Sequence, residues 1–154
     1  MNEDSEPQLP QPTRSLKQFD RLVGEWIMVG THPSLPSAVQ GHSSFQWLRE
    51  GALLAWHFDW EHSQGIPSAF SVIGQDDAIE PCSMLYTDQR GIARIYQMSL
   101  ADGVRKMWRN TPRFSQRMIG TFSDDGNTIT WDGELSRDDS TWEPDLSVTY
   151  TRKQ

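Results

Sequence analysis

The sequence has one cysteine, Cys82, in 154 residues. An intramolecular disulfide is therefore excluded, and a reducing compartment, the cytoplasm, is the expected location. Long apolar runs are also missing. Nothing approaches the ~20 apolar residues that a membrane-spanning helix needs, and the opening Met1-Asn2-Glu3-Asp4 lacks the basic and apolar parts of a signal peptide. Positive charge is scarce: 14 Lys and Arg stand against 21 Asp and Glu, a formal charge of -7. That balance lacks the exposed cationic field on which phosphate binding depends, so neither nucleic acid nor membrane is expected as a partner. Arg90, Arg94, Arg105, Lys106, Arg109, Arg113 and Arg117 make the middle of the chain locally basic. Their spacing reads as the solvated outer face of strands rather than an anion site.

Helical periodicity is nearly absent too. Residues 1–14 carry three prolines and three acids with almost no apolar content, and read as a disordered tail ahead of a single domain over 15–154. Ser15 can cap a short helix in which Leu16, Phe19 and Leu22 or Val23 share a stripe, placed to close one end of the strand-rich remainder. From Glu25 onward the pattern is extended. Strands are expected at 25–32, 39–49, 53–62, 68–75, 82–88, 93–100, 104–110, 114–122, 128–136 and 141–152, separated by turns rich in Gly, Pro, Asp and Asn. Ten short strands without crossover helices imply an antiparallel meander. Closing it removes the exposed edges, so the fold class is all-β, an up-and-down barrel of about ten strands with a short N-terminal lid helix.

What the chain has in quantity is aromatic residues, including seven tryptophans. In 53–62 Trp56, Phe58 and Trp60 share one side of an extended strand, and His57, Asp59 and Glu61 the other. The same alternation sets an inward group of Trp26, Met28, Phe45, Trp47, Trp56, Phe58, Phe70, Val72, Met84, Tyr86, Val104, Trp108, Phe114, Met118, Ile129, Trp131, Leu146, Val148 and Tyr150. Over 93–100 the pattern is ambiguous, since Ile95 and Gln97 oppose Tyr96, Met98 and Leu100. A slip of one residue would exchange cavity for solvent.

The run Leu22-Val23-Gly24-Glu25-Trp26, a short helix entering Gly-x-Trp at the first strand, resembles the calycin superfamily. The segments Phe114–Thr130, Ser140–Glu143 and Thr149–Arg152 resemble an uncharacterised bacterial family of lipocalin-like barrels related to nitrobindins and fatty-acid-binding proteins. The likeness covers about residues 16–153. It implies that Trp26 plugs the closed end and packs on Arg152, a structural pairing. Nitrobindins bind haem through a histidine on a late strand. Here His32, His42, His57 and His62 all precede residue 63, and the late segment reads Trp142-Glu143-Pro144-Asp145, so haem is not expected.

No motif specifies a reaction. The His57, Asp59 and Glu61 row has metal-ligand chemistry but reads as an outer face, while His62 has the wrong parity to join His57, so no metal is expected. Asp124-Asp125-Gly126-Asn127 is a turn rather than a calcium loop. Two functions stay open. One is binding of a small apolar or aromatic molecule in the barrel, with Trp47, Trp56, Phe58, Met84, Tyr86, Gln97, Met98, Trp108, Gln116 and Met118 as the wall and its polar anchors. The other is a cofactor-independent isomerase, cyclase or hydrolase drawing its acid or base from His57, Tyr96 or Lys106. A filled interior with a purely structural role is the third reading, and a homodimer is left open.

Overall fold

Turn chemistry sets the frame. At Asp102-Gly103 both residues have positive φ, 53° and 73°, the left-handed pair that a two-residue hairpin needs to match strand twist. The structure is a computed structural model describing residues 14–61 and 65–154. Apart from Arg14, the expected N-terminal tail lies outside these residues, as does His62.

Ten strands follow one another: β1 (Gly24–Thr31), β2 (Val39–Leu48), β3 (Leu53–Trp60), β4 (Ala69–Gln75), β5 (Cys82–Asp88), β6 (Ala93–Ala101), β7 (Val104–Arg109), β8 (Ser115–Phe122), β9 (Thr128–Ser136) and β10 (Glu143–Arg152). Each pairs antiparallel with its chain neighbours, and β1 pairs with β10 to close the barrel. No helix among the described residues is long and apolar enough to cross a membrane. Instead of one helix over 15–23, the chain forms a single α-turn, α1 (Arg14–Lys17), running into a 3-10 turn over Gln18–Leu22. Leu16, Phe19 and Leu22 are fully buried and join the core.

Burial alternates along most strands as the period of two demands, and in β1 it does so without interruption. In β4 and β7 the inward face is the opposite of the one hydrophobicity indicates. In β4, Ala69, Ser71 and Ile73 point in while Phe70 is exposed and Val72 half-buried. The cause is lateral packing: Ser71 lies between Trp56 and Tyr86, and Ala69 beside Phe58. Large rings on the flanking strands leave room only for small side chains between them. Phe70 packs instead on the outward His57 ring, with centroids 4.7 Å apart. In β7, Arg105 and Met107 are buried, and Val104, Lys106 and Trp108 take the outer face. Space for Arg105 comes partly from its partner Gly120, where a Cβ would lie 2.7 Å from the Trp131 ring. In β6 the ambiguity resolves with Tyr96, Met98 and Leu100 inside, and Ile95 and Gln97 outside.

Candidate functional site

The barrel has two unlike ends. At one, Trp26 is fully buried and its indole N–H donates to the Leu22 carbonyl at 2.8 Å. The Arg152 guanidinium lies 4.2 Å from the Trp26 ring and donates to the carbonyls of Val23 and Arg21 at 2.8 and 2.7 Å. Trp47 belongs to this end as well, donating to Asp20 at 2.8 Å.

At the other end a cavity of about 280 Å³ opens among the loops that follow β1, β3, β5 and β7. Trp56, Phe58, Trp60, Met107, Met118, Trp131 and Leu146 supply its apolar wall, and Tyr86, Tyr96, Gln116, Asp145 and His32 its polar one. Phe45 stacks on Trp56 with centroids 5.2 Å apart, and Phe58 leans on the same indole at 5.1 Å. These contacts hold the rings by packing as well as by backbone pairing.

Tyr86 aside, the polar wall is a continuous run of hydrogen bonds. Tyr96 donates its hydroxyl proton to Gln116 Oε1, Gln116 Nε2 donates to Asp145 Oδ2 at 3.0 Å, and Asp145 Oδ1 meets His32 Nε2 at 3.1 Å. His32 Nδ1 accepts the Ser34 backbone N–H at 3.0 Å, which leaves the neutral ring's proton on Nε2, facing the carboxylate. Ser34 Oγ also lies 2.7 Å from Nδ1. Asp145 reaches the cavity because β10 breaks register between Pro144 and Ser147. Such a bulge turns the neighbouring residues Asp145 and Leu146 both toward the interior. Burial pushes the Tyr96 hydroxyl above its ordinary pKa, with Arg94 and Arg109 pulling the other way. Tyr86, raised first by burial and then by its bond to Asp88, stays a neutral donor at physiological pH. Asp88 is held well below the carboxylate range, chiefly by its hydrogen bond from Arg90.

No protein-family model and no curated protein matches the sequence. Solved structures do match. The crystal structure of Rv2717c from M. tuberculosis aligns with a TM-score of 0.68 at 10% identity, over 94% of this chain and all of that one (100%). The S-type phycobiliprotein lyase CPES from Guillardia theta aligns at 0.59 and 11% identity, over 91% of this chain and 93% of its own. The chain folds as a calycin-like barrel. At such identities the likeness shows architecture alone.

Within this calycin-like barrel the expected site residues separate cleanly. Trp56, Phe58, Tyr86, Gln116, Met118 and the acid–base candidate Tyr96 line the cavity. Trp47, bonded to Asp20 at the closed end, does not. Met84 and Met98 are fully buried in the core and do not line it either. Trp108 and Gln97 pair with one another on the outside of β7 and β6, which removes both from the cavity. His57 and Lys106 are exposed on outer faces and cannot serve as acid or base inside. The basic segment is corrected in the opposite direction. Arg90 and Arg94 line the cavity, and Arg105 is entirely buried, while Arg113 and Arg117 are exposed as expected.

Sequence reasoning passed over His32, Trp60, Arg94, Arg105 and Asp145 as site residues. A signal existed for Asp145, since a proline inside a strand marks an edge or a bulge. None existed for Arg105. Ligation of haem iron by His32 is a poor fit to this arrangement, because Nε2 faces Asp145 and Nδ1 accepts from Ser34. His42 and His57 lie on the outer surface. No group of three or more His, Cys, Asp or Glu among the described residues is placed to hold a metal. Cys82 is a buried free thiol, raised to about 11 by burial, and so unsuited to act as a nucleophile at neutral pH.

Proposed function

We propose that the barrel binds a small apolar or aromatic molecule in its open-end cavity. The observation that carries this reading is the wall itself: four aromatic side chains, Trp56, Phe58, Trp60 and Trp131, face the polar run from Tyr96 to His32 across one space. Apolar surface supplies affinity, and the few convergent polar groups fix orientation. An apolar void of ~150 Å³ admits benzene. A space of about 280 Å³ therefore suits a molecule of one or two fused rings. The segment over 14–22 would act as the plug at the far end, and the unpaired thiol accords with work in the cytosol. Titration with a panel of one- and two-ring aromatics, followed by tryptophan fluorescence and melting temperature, tests the idea. Saturable quenching with a raised melting temperature supports it; an unchanged signal across the panel sinks it.

A second reading is a cofactor-independent enzyme on the same barrel. It draws on the Asp145–His32 pair with Ser34 Oγ at 2.7 Å, the carboxylate–imidazole–hydroxyl order of a nucleophilic triad. The Ser34 backbone N–H already donates to the nitrogen that would act as base, which ranks this reading second. A bell-shaped pH profile for cleavage of a naphthyl ester, lost in Ser34→Ala, would reverse the ranking.

A further inference from the structure

Arg105 is the side chain that the fold does not explain. It is fully buried, and its Nε, Nη1 and Nη2 have no hydrogen-bond partner among the described residues. No carboxylate among the described residues pairs with it. Its guanidinium carbon lies 4.5 Å from the Trp56 ring, 4.4 Å from that of Trp131 and 5.4 Å from that of Phe45. The rings offer it cation–π contact. They accept little from the in-plane N–H groups, which remain unpaired. A buried cation left in this state opposes folding, and an apolar residue of similar size would serve stability at least as well.

The unmet polar capacity around the cavity has one character. Besides Arg105, the inward buried atoms lacking a partner among the described residues are Trp60 Nε1 on the cavity wall, Arg109 Nε near Tyr96 and Phe114, again donors, and the Ser71 hydroxyl between Trp56 and Tyr86, which can act either way. The unpartnered acceptor, Gln97 Oε1, lies on the outside of β6. Side-chain acceptors on the cavity wall do have partners: Asp145 accepts from His32 and Gln116, and Gln116 Oε1 from Tyr96. A chain that is acidic overall thus has spare donors around its cavity and an unpaired positive charge beneath it, while the Asp145 carboxylate lies at the mouth with His32 and Gln116. Water could meet the donors but not the charge.

We propose that the ligand is an organic anion, a flat aromatic carboxylate or similar acid, bound with its acidic group at the cavity floor, accepting from the Tyr150 hydroxyl and held there by the Arg105 charge behind Trp56 and Trp131. The inference rests on the cavity-binding reading and names the ligand class for it. Trp56 and Trp131, the two indoles against Arg105, both line the cavity, as do Tyr150 and Met107, the next inward residue on β7. Arg105 is therefore one side-chain layer from the space the ligand occupies. Burial lowers Arg105 only to about 10 and raises Tyr150 to about 12, so at neutral pH one is a cation and the other a neutral donor. Arg105 supplies the charge that attracts a carboxylate from behind the indoles, and Tyr150 the hydrogen bond to its oxygen.

Calorimetric titration of the full chain with 2-naphthoate and with its uncharged counterpart 2-naphthalenemethanol tests this at neutral pH. The wild type should bind the carboxylate about tenfold more tightly than the alcohol, the scale of one charge-assisted contact. Arg105→Met should remove that preference by weakening the carboxylate alone. Tyr150→Phe should reduce the preference several-fold, and it carries the decision if Arg105→Met shows no melting transition. Equal binding of the two probes by the wild type overturns the anion inference and leaves the cavity reading intact. A preference that survives both variants but vanishes in Arg94→Met also overturns it, because the charge would then sit at the mouth. Binding of neither probe takes down both readings.

Discussion

Two arginines lie against tryptophans in this barrel, one at the closed end and one in the core beneath the cavity, and they could hardly be treated more differently. Arg152 covers Trp26 and gives its terminal nitrogens to two backbone carbonyls. Arg105 lies against Trp56 and Trp131 and gives its nitrogens to no acceptor among the described residues. The first is a completed joint, in which ring and hydrogen bonds hold the segment before β1 onto the last strand. The second is a charge kept out of water with only ring faces to offset the loss. The closed end is thus built for stability, whereas the core beneath the cavity keeps donors that folding leaves unpaired.

Substitutions can break this contrast. The largest loss is expected from Trp26→Ala. It empties a fully buried indole site and orphans the Leu22 carbonyl, for ~3–5 kcal/mol in urea unfolding. Arg152→Met should follow at about 2–3 kcal/mol, since two charge-assisted hydrogen bonds and a cation–π contact are lost together. A loss no larger than that of Arg105→Met would erase the distinction. Asp145→Ala should cost about 1–3 kcal/mol by leaving the buried Gln116 amide without its acceptor, and it should loosen the mouth without affecting the closed end. Hydrogen exchange at β1 and β10 separates those two outcomes. Arg105→Met should fall within about 1 kcal/mol of the wild type in either direction, as unpaired buried charges do when replaced by apolar groups.

Alkaline pH sharpens the comparison by the smallest effect. Burial raises Cys82 from 9.0 to about 11 and Tyr150 from 10.0 to about 12. Between those limits the folded chain holds protons that the unfolded chain has released, so stability falls as pH rises from 9 toward 12. Arg105 works in the opposite sense. Lowered by burial from the ordinary arginine range to about 10, it is the group whose proton the unfolded chain retains longer, and above pH 10 it adds stability as pH rises. Melting temperature recorded from neutral pH upward should therefore decline more steeply in Arg105→Met than in the wild type. Parallel curves would show that Arg105 is solvated.

Much of the architecture was legible because it rests on local chemistry. Turn residues such as Asp102-Gly103 and alternation in strands such as β1 need no distant partner to be read. The register errors share one cause. In β4 the hydrophobic face, Phe70 and Val72, lies outside because Trp56 and Tyr86 on the adjoining strands claim the interior. In β7, alternation put Trp108 inside, whereas the interior has Arg105, a choice that solvation energy alone would reject. Of the site, the aromatic wall at Trp56 and Phe58 and the anchors Tyr86 and Gln116 were within reach. The His32–Asp145 contact was not, as it joins residues 113 positions apart through a bulge.

The amino-acid sequence by itself determined that this chain would form an antiparallel barrel of about ten strands rich in buried aromatic residues, since period-two patterning and turn chemistry are properties of neighbouring residues. Only the tertiary structure decided which polar groups face the interior. That outcome depends on how large and small side chains interleave across strands, and on whether a buried charge meets a partner. Both are settled between residues that chain order keeps apart.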